Sequence, residues 1–202
     1  MSSRPVPASA TLFDFFCGHV GSAVEETGTA VSNDGVYYLA SLLTEGSVAA
    51  EAPARTLAEL HIAGSQGDTA TAIRSFKTLG DRALVTAGFF RESLRSGVVG
   101  ADYYEHMGAG AYARLSVLLR GGGQVVRGGL EAIFSELASC FGGCARVLQE
   151  VRASIAAESD AESDADVLAL YEQWLASGSP VLARKLQELG VVPLHPAVRP
   201  VG

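Results

Sequence analysis

Lysine is almost missing from this chain. Of its 15 basic residues only Lys77 and Lys185 are lysines, and 22 acids outweigh the bases to leave a formal charge of −7. Such a surplus opposes general attraction to nucleic acid or to an anionic membrane surface. Cysteine is sparse too: Cys17, Cys140 and Cys144 make an odd set that cannot form a disulfide framework and fits reduced thiols. No apolar run approaches the roughly 18 residues of a membrane span; the densest, Ala83 to Phe90, is short and contains Gly88. Asp14 cuts the early apolar stretch where a secretory signal needs about 7 to 15 uninterrupted apolar residues. Together these absences predict a cytoplasmic protein with neither nucleic acid nor membrane among its partners. Strand-like alternation is also missing. So are a phosphate loop, a nucleophile elbow, a helical H-E-x-x-H and the repeated Glu-x-x-His pairs of di-iron bundles.

What is present is a folding composition, 48% hydrophobic and 18% charged over 202 residues, enough to bury a sizeable core. We expect an all-α protein, a single bundle of about seven or eight helices. A flexible arm would occupy 1–9 with Pro5 and Pro7, the helical domain 10–190, and a proline-rich tail 191–202. Leu12, Phe15, Phe16, Val20, Ala23 and Val24 recur at helical spacing. Ser32, Asn33 and Asp34 offer caps for a second helix that Gly46 would end, and Pro53 suits the start of a third. From an Asp68 cap the stripe Ile73, Phe76, Gly80, Ala83, Leu84, Ala87, Phe90 and Leu94 favours one helix continuing through Gly80, the alternative being a break where Gly80 stops one helix and Asp81 caps another. Spacings of three and four from Val126 to Ile155 predict one long central helix of about 45 Å, with Gly142 and Gly143 inside it marking either a bend or a close crossing. The acidic segment 157–166 reads as a solvated connector whose Ser163 or Asp164 caps the next helix. Ser179 and Pro180 would open the last helix and Gly190 would stop it.

The stretch "DYYEHMGAGAYARL" from Asp102 poses the main functional question. Asp102 and Glu105 have capping-box spacing, yet Gly108 and Gly110 follow within the helix, where each glycine costs up to about 1 kcal/mol against alanine. Something should gain from the missing side chains. Close crossing of two helices would do so, with Ala83, Ala87 and Gly88 as the facing small residues; a flat ligand or a partner chain is the functional alternative. His61 shares an apolar face with Leu57 and Leu60, as a hydrogen-bonded core histidine or a ligand would. His106 points off its helix's apolar stripe, and His19 cannot join Cys17 on one ion because alternate helical residues diverge. Cys140 and Cys144 lie one turn apart and read as buried apolar thiols; structural zinc would need two further ligands, and a redox role would need a lowered thiol pKa.

The block Leu79 to Ser116, carried by Leu79, Gly80 and Asp81, then Gly88, Phe89 and Phe90, then Asp102, Tyr103, Tyr104, Met107, Gly108, Ala111 and Tyr112, resembles segments of a group of uncharacterised all-helical proteins of proteobacteria. The "YEQWLASGSP" segment is similar as well. The resemblance implies a helical domain and a bacterial source and carries no activity.

Two functions follow as expectations. The first is a non-catalytic interaction or regulatory protein that receives a protein partner or a second copy of itself. The alternative is a cofactor-binding protein or enzyme arranged like the haem-oxygenase-like folds. There a glycine-bearing helix at Gly108 and Ala111 would lie over a flat cofactor, with His61 or His19 as ligand and Tyr103, Tyr104 and Tyr112 lining the pocket.

Overall fold

A computed structural model describes residues 11–48, 55–91, 94, 99–121, 129–159, 161 and 163–194. Among these the chain is all helical: α1 (Leu12–Thr27), α2 (Asn33–Val48), α3 (Leu57–Gln66), α4 (Thr69–Ala87), α5 (Ala101–Gly121), α6 (Leu130–Ser139), α7 (Phe141–Glu158), α8 (Asp164–Ser177) and α9 (Pro180–Glu188). None of them is long and apolar enough to cross a membrane. The predicted arm 1–9, Pro53, Val126, His195 and the end of the tail lie outside the described residues.

Helix starts are fixed by short polar side chains that satisfy orphan N–H groups. Thr11 with Asp14, Thr56 with Glu59 and Ser163 with Asp166 form capping boxes, and Asp68 and Ser179 cap α4 and α9. The start of α3 is therefore set by Thr56, where the sequence had pointed to Pro53. At the last helix Gly190 adopts a φ of 81° and the Val191 N–H reaches back to the Leu186 carbonyl at 2.8 Å, closing α9 as expected.

One cap is completed from far away. The Ser32 Oγ accepts from the Gly35 N–H at 3.1 Å, which is half of a capping box for α2. The other half needs a carboxylate at Gly35, and glycine has none. Glu136 of α6 supplies it, accepting from the Ser32 N–H and from the Ser32 hydroxyl, each at 2.6 Å. A Cβ on Gly35 would stand 2.6 Å from Val31 Cγ1 and 3.2 Å from Glu136 Oε2, so the small residue leaves room for the distant carboxylate.

Contacts divide the chain into two units, Met1–Leu148 and Gln149–Gly202. In the first, α4 and α5 pack along each other, α5 also packs on α6, α3 on α4 and α1 on α2, and α2 touches α4 and α6. Val20, Leu39, Leu79, Leu84, Leu115 and Leu137 are fully buried there, each stabilising by roughly 1.5–3 kcal/mol. In the second, α8 packs on α9 around Ala153, Leu170, Trp174, Leu182 and Leu186.

Three sequence expectations are corrected. The long rod over Val126 to Ile155 is divided at Cys140, whose φ of −115° and ψ of 27° leave the helical region after its N–H has bonded the Glu136 carbonyl. Helix α4 does run through Gly80, but it stops at Ala87 and leaves Phe90 half exposed beyond it. The stop falls where Gly88 meets α7: a Cβ there would stand 2.7 Å from the Ala145 carbonyl oxygen. Helix α5 begins at Ala101, so Asp102 lies inside its first turn, and Glu105 accepts from Arg91 Nη1 at 3.0 Å in place of a capping-box bond.

Candidate functional site

Gly80, Gly108 and Gly110 stand in different surroundings. A Cβ on Gly108 would fall 2.2 Å from the Phe141 ring and 2.9 Å from Ala83 Cβ, so the gap is filled by the protein's own aromatic ring. Gly80 is likewise covered by the Tyr112 ring. Gly110 meets nothing within 4 Å. The close-crossing explanation therefore holds at Gly108 and gives no account of Gly110.

Around Tyr112 the first unit buries its most elaborate polar cluster. Asp81 Oδ1 accepts from the Tyr38 hydroxyl at 2.6 Å and from the Tyr112 hydroxyl at 2.8 Å, while Oδ2 accepts from Lys77 Nζ at 2.7 Å. The Lys77 ammonium also stands 5.5 Å from the centre of the Tyr38 ring. Burial first, and the Asp81 charge second, push both phenols above their ordinary value, so they remain protonated donors. This arrangement closes on itself. Two phenol hydroxyls and the Lys77 ammonium end on one carboxylate, which ties α2, α4 and α5 together.

The residues proposed for a flat cofactor are spread over separate surroundings. His61 sets its ring edge-on to Phe76 at 6.1 Å. Tyr103 and Tyr104 pair with each other at 5.6 Å at the start of α5. Ala111 and Tyr112 are buried, with the Tyr112 hydroxyl on Asp81 and its ring near Phe134 and Phe141. His106 is exposed, and His19 packs edge-on to Phe15 at 4.3 Å. Among the described residues no cluster of three or more His, Cys, Asp or Glu is placed to hold a metal ion.

A surface that the sequence did not single out lies between α3, α4 and α5. It is a groove of about 610 Å³. Thr69, Ala72 and Phe76, at steps of three and four, form the α4 wall; Ala113, Arg114, Val117 and Leu118 form the α5 wall; Gly64, Ser65 and Gly67 close the α3 end. Gly64 permits this geometry because a Cβ there would meet the Phe76 ring at 2.9 Å. Phe76 is almost wholly buried, whereas Val117 is 63% exposed, so the groove pairs a rigid aromatic floor with an uncovered apolar rim. Among the described residues its one charged lining residue is Arg114. The guanidinium carbon lies 5.5 Å from the Phe76 ring centre and Nη1 donates to Ser65 Oγ at 3.2 Å. That bond takes one of five N–H donors in a planar fork shaped for a carboxylate.

Comparison of the chain with protein-family models, with curated proteins and with solved structures gives no match.

Proposed function

We propose that this chain is a non-catalytic interaction protein of bacteria that holds an acidic, apolar segment of another protein in the groove between α3, α4 and α5. The groove itself supports the reading. Apolar side chains contributed by two helices flank a single arginine, which is the pattern by which grooves accept an apolar anchor and a neighbouring carboxylate. A volume of about 610 Å³ admits one or two large side chains of such a segment. The buried polar cluster at Asp81 supports the same view by analogy with packed cores: its donors and acceptors are consumed in holding the walls of the groove in place.

The reading is tested by placing a photo-crosslinking amino acid at Val117 in the full chain, in its own host. A discrete adduct with another protein, mapped to a segment carrying an apolar and an acidic residue and reduced about tenfold by Arg114→Glu, is the expected result. An adduct that ignores Arg114→Glu, or none above that of a probe placed at exposed Glu25, ends the proposal. Capture of a second copy of this chain would replace a foreign partner by self-association.

A further inference from the structure

The break between α6 and α7 brings two thiols together. Cys140 and Cys144 place their sulfur atoms 3.4 Å apart, with Cys140 partly exposed and Cys144 buried. Their contact is direct, and Cys140 Sγ also lies 3.1 Å from the Glu136 carbonyl oxygen. Cys140 is the one residue at this junction outside the helical region, with φ −115° and ψ 27°.

We propose that Cys140 and Cys144 are a peroxide-responsive dithiol, in which Cys140 is oxidised first and Cys144 resolves it to an intramolecular disulfide. Exposure assigns the roles, since the oxidant meets Cys140 while Cys144 stands behind it at bonding reach. The Cys140 thiolate attacks the terminal oxygen of a hydroperoxide. The O–O bond breaks, the alcohol or water leaves with the thiol's proton, and Cys140 becomes a sulfenic acid. The Cys144 sulfur then attacks the Cys140 sulfur and expels the hydroxyl as water, taking up its own proton. Two electrons pass from the two thiols to the peroxide.

Electrostatics agrees with this order. The hydrogen bond from the Cys144 thiol holds Cys140 below the ordinary thiol range, while that same bond and burial push Cys144 up. At Cys17 burial and then the Asp14 charge raise the thiol. Residues four apart on a helix have Cβ atoms about 5–6 Å apart, whereas a disulfide needs about 3.5–4.5 Å. The first turn of α7 must therefore tighten, which strains the bond from the Cys144 N–H to the Cys140 carbonyl, 2.9 Å at present, at the non-helical junction. Phe141, which fills the space over Gly108, is carried by that same turn.

Treatment of the full-length protein with stoichiometric hydrogen peroxide, followed by thiol alkylation and peptide mapping, tests the assignment. The expected product is a dithiothreitol-reversible Cys140–Cys144 disulfide formed at least roughly tenfold faster than oxidation of Cys17. In Cys144→Ser a dimedone adduct accumulates on Cys140, and in Cys140→Ser neither the disulfide nor a Cys144 adduct forms. Three thiols still open to alkylation would overturn the proposal, as would oxidation confined to Cys17 or sulfinic acid on Cys140 of the unaltered chain.

Discussion

Tyr112 of α5 and Asp81 of α4 are joined by a hydrogen bond of 2.8 Å, and the Tyr112 ring lies against Gly80, the residue just before Asp81. The glycine admits the ring and the aspartate receives its hydroxyl, so one pair of neighbours in sequence recognises both ends of a single side chain. Tyr112→Phe should cost about 1.5–3 kcal/mol, the range for a hydrogen bond to a charged acceptor. Asp81→Ala should cost more, because it strands the buried hydroxyls of both Tyr38 and Tyr112. Urea denaturation of the two variants and their double mutant checks this; additive losses would show that the groups do not act as one cluster.

Glycine replacements separate the crossing points from the open turn. Gly88→Ala drives a methyl to 2.7 Å from both the Ala145 carbonyl oxygen and Leu148 Cβ, backbone and side-chain base that have little room to give. A loss of about 1–3 kcal/mol is expected. Gly110→Ala meets open space and should gain up to about 1 kcal/mol from helix propensity alone. Opposite signs in far-UV circular dichroism melts are the outcome to look for.

Acid should loosen the helix starts. Backbone hydrogen bonds from Thr11, Thr56 and Thr71 hold the carboxyls of Asp14, Glu59 and Asp68 below their ordinary range. A carboxyl whose pKa falls on folding stabilises above its unfolded value, about 3.9 for Asp and 4.3 for Glu, and loses that contribution as pH drops through the folded one. The melting temperature should therefore decline below about pH 4. Asp68→Asn keeps a capping oxygen but cannot titrate, so it should match the parent at neutral pH and decline less steeply in acid. Parallel curves would dissociate Asp68 from the acid response.

In the second unit Ser179 has two duties. Its hydroxyl donates to Glu150 Oε1 at 2.9 Å and accepts from the Leu182 N–H at 3.3 Å. Ser179→Ala should cost roughly 2 kcal/mol, read from the fluorescence of Trp174, the chain's one tryptophan, in the neighbouring core. Ser179→Asp, a good cap elsewhere, should not restore stability because its carboxylate would face Glu150. Full restoration would assign the effect to the cap alone.

Local chemistry explains what could be read ahead of the structure. Asp68, Ser163, Ser179 and Gly190 act at helix ends as the sequence indicated, because a cap depends on residues only a few positions away. Continuity of α4 through Gly80 was favoured by its apolar stripe but not decided by it, since Gly80 followed by Asp81 also fits a stop and a new cap. The break at Cys140 was signalled only as a bend or close crossing at Gly142 and Gly143, since the apolar steps of three and four run past it unchanged. The groove was hidden for another reason. Arg114 and Val117 lie off the buried stripe of α5, and their meeting with Ser65 and Phe76 depends on three helices at once. None of the residues singled out for a cofactor lines it, although His61 stands beside its floor residue Phe76.

The carboxylate that latches the first turn of α2 is 104 residues downstream of the serine it holds. At about 5–20 residues added per second, Ser32 is synthesised roughly 5–20 seconds before Glu136 exists to meet it. The amino-terminal hairpin of α1 and α2 therefore waits on the nascent chain with its leading turn unlatched. The length of that interval is set by translation speed and not by helix propensity.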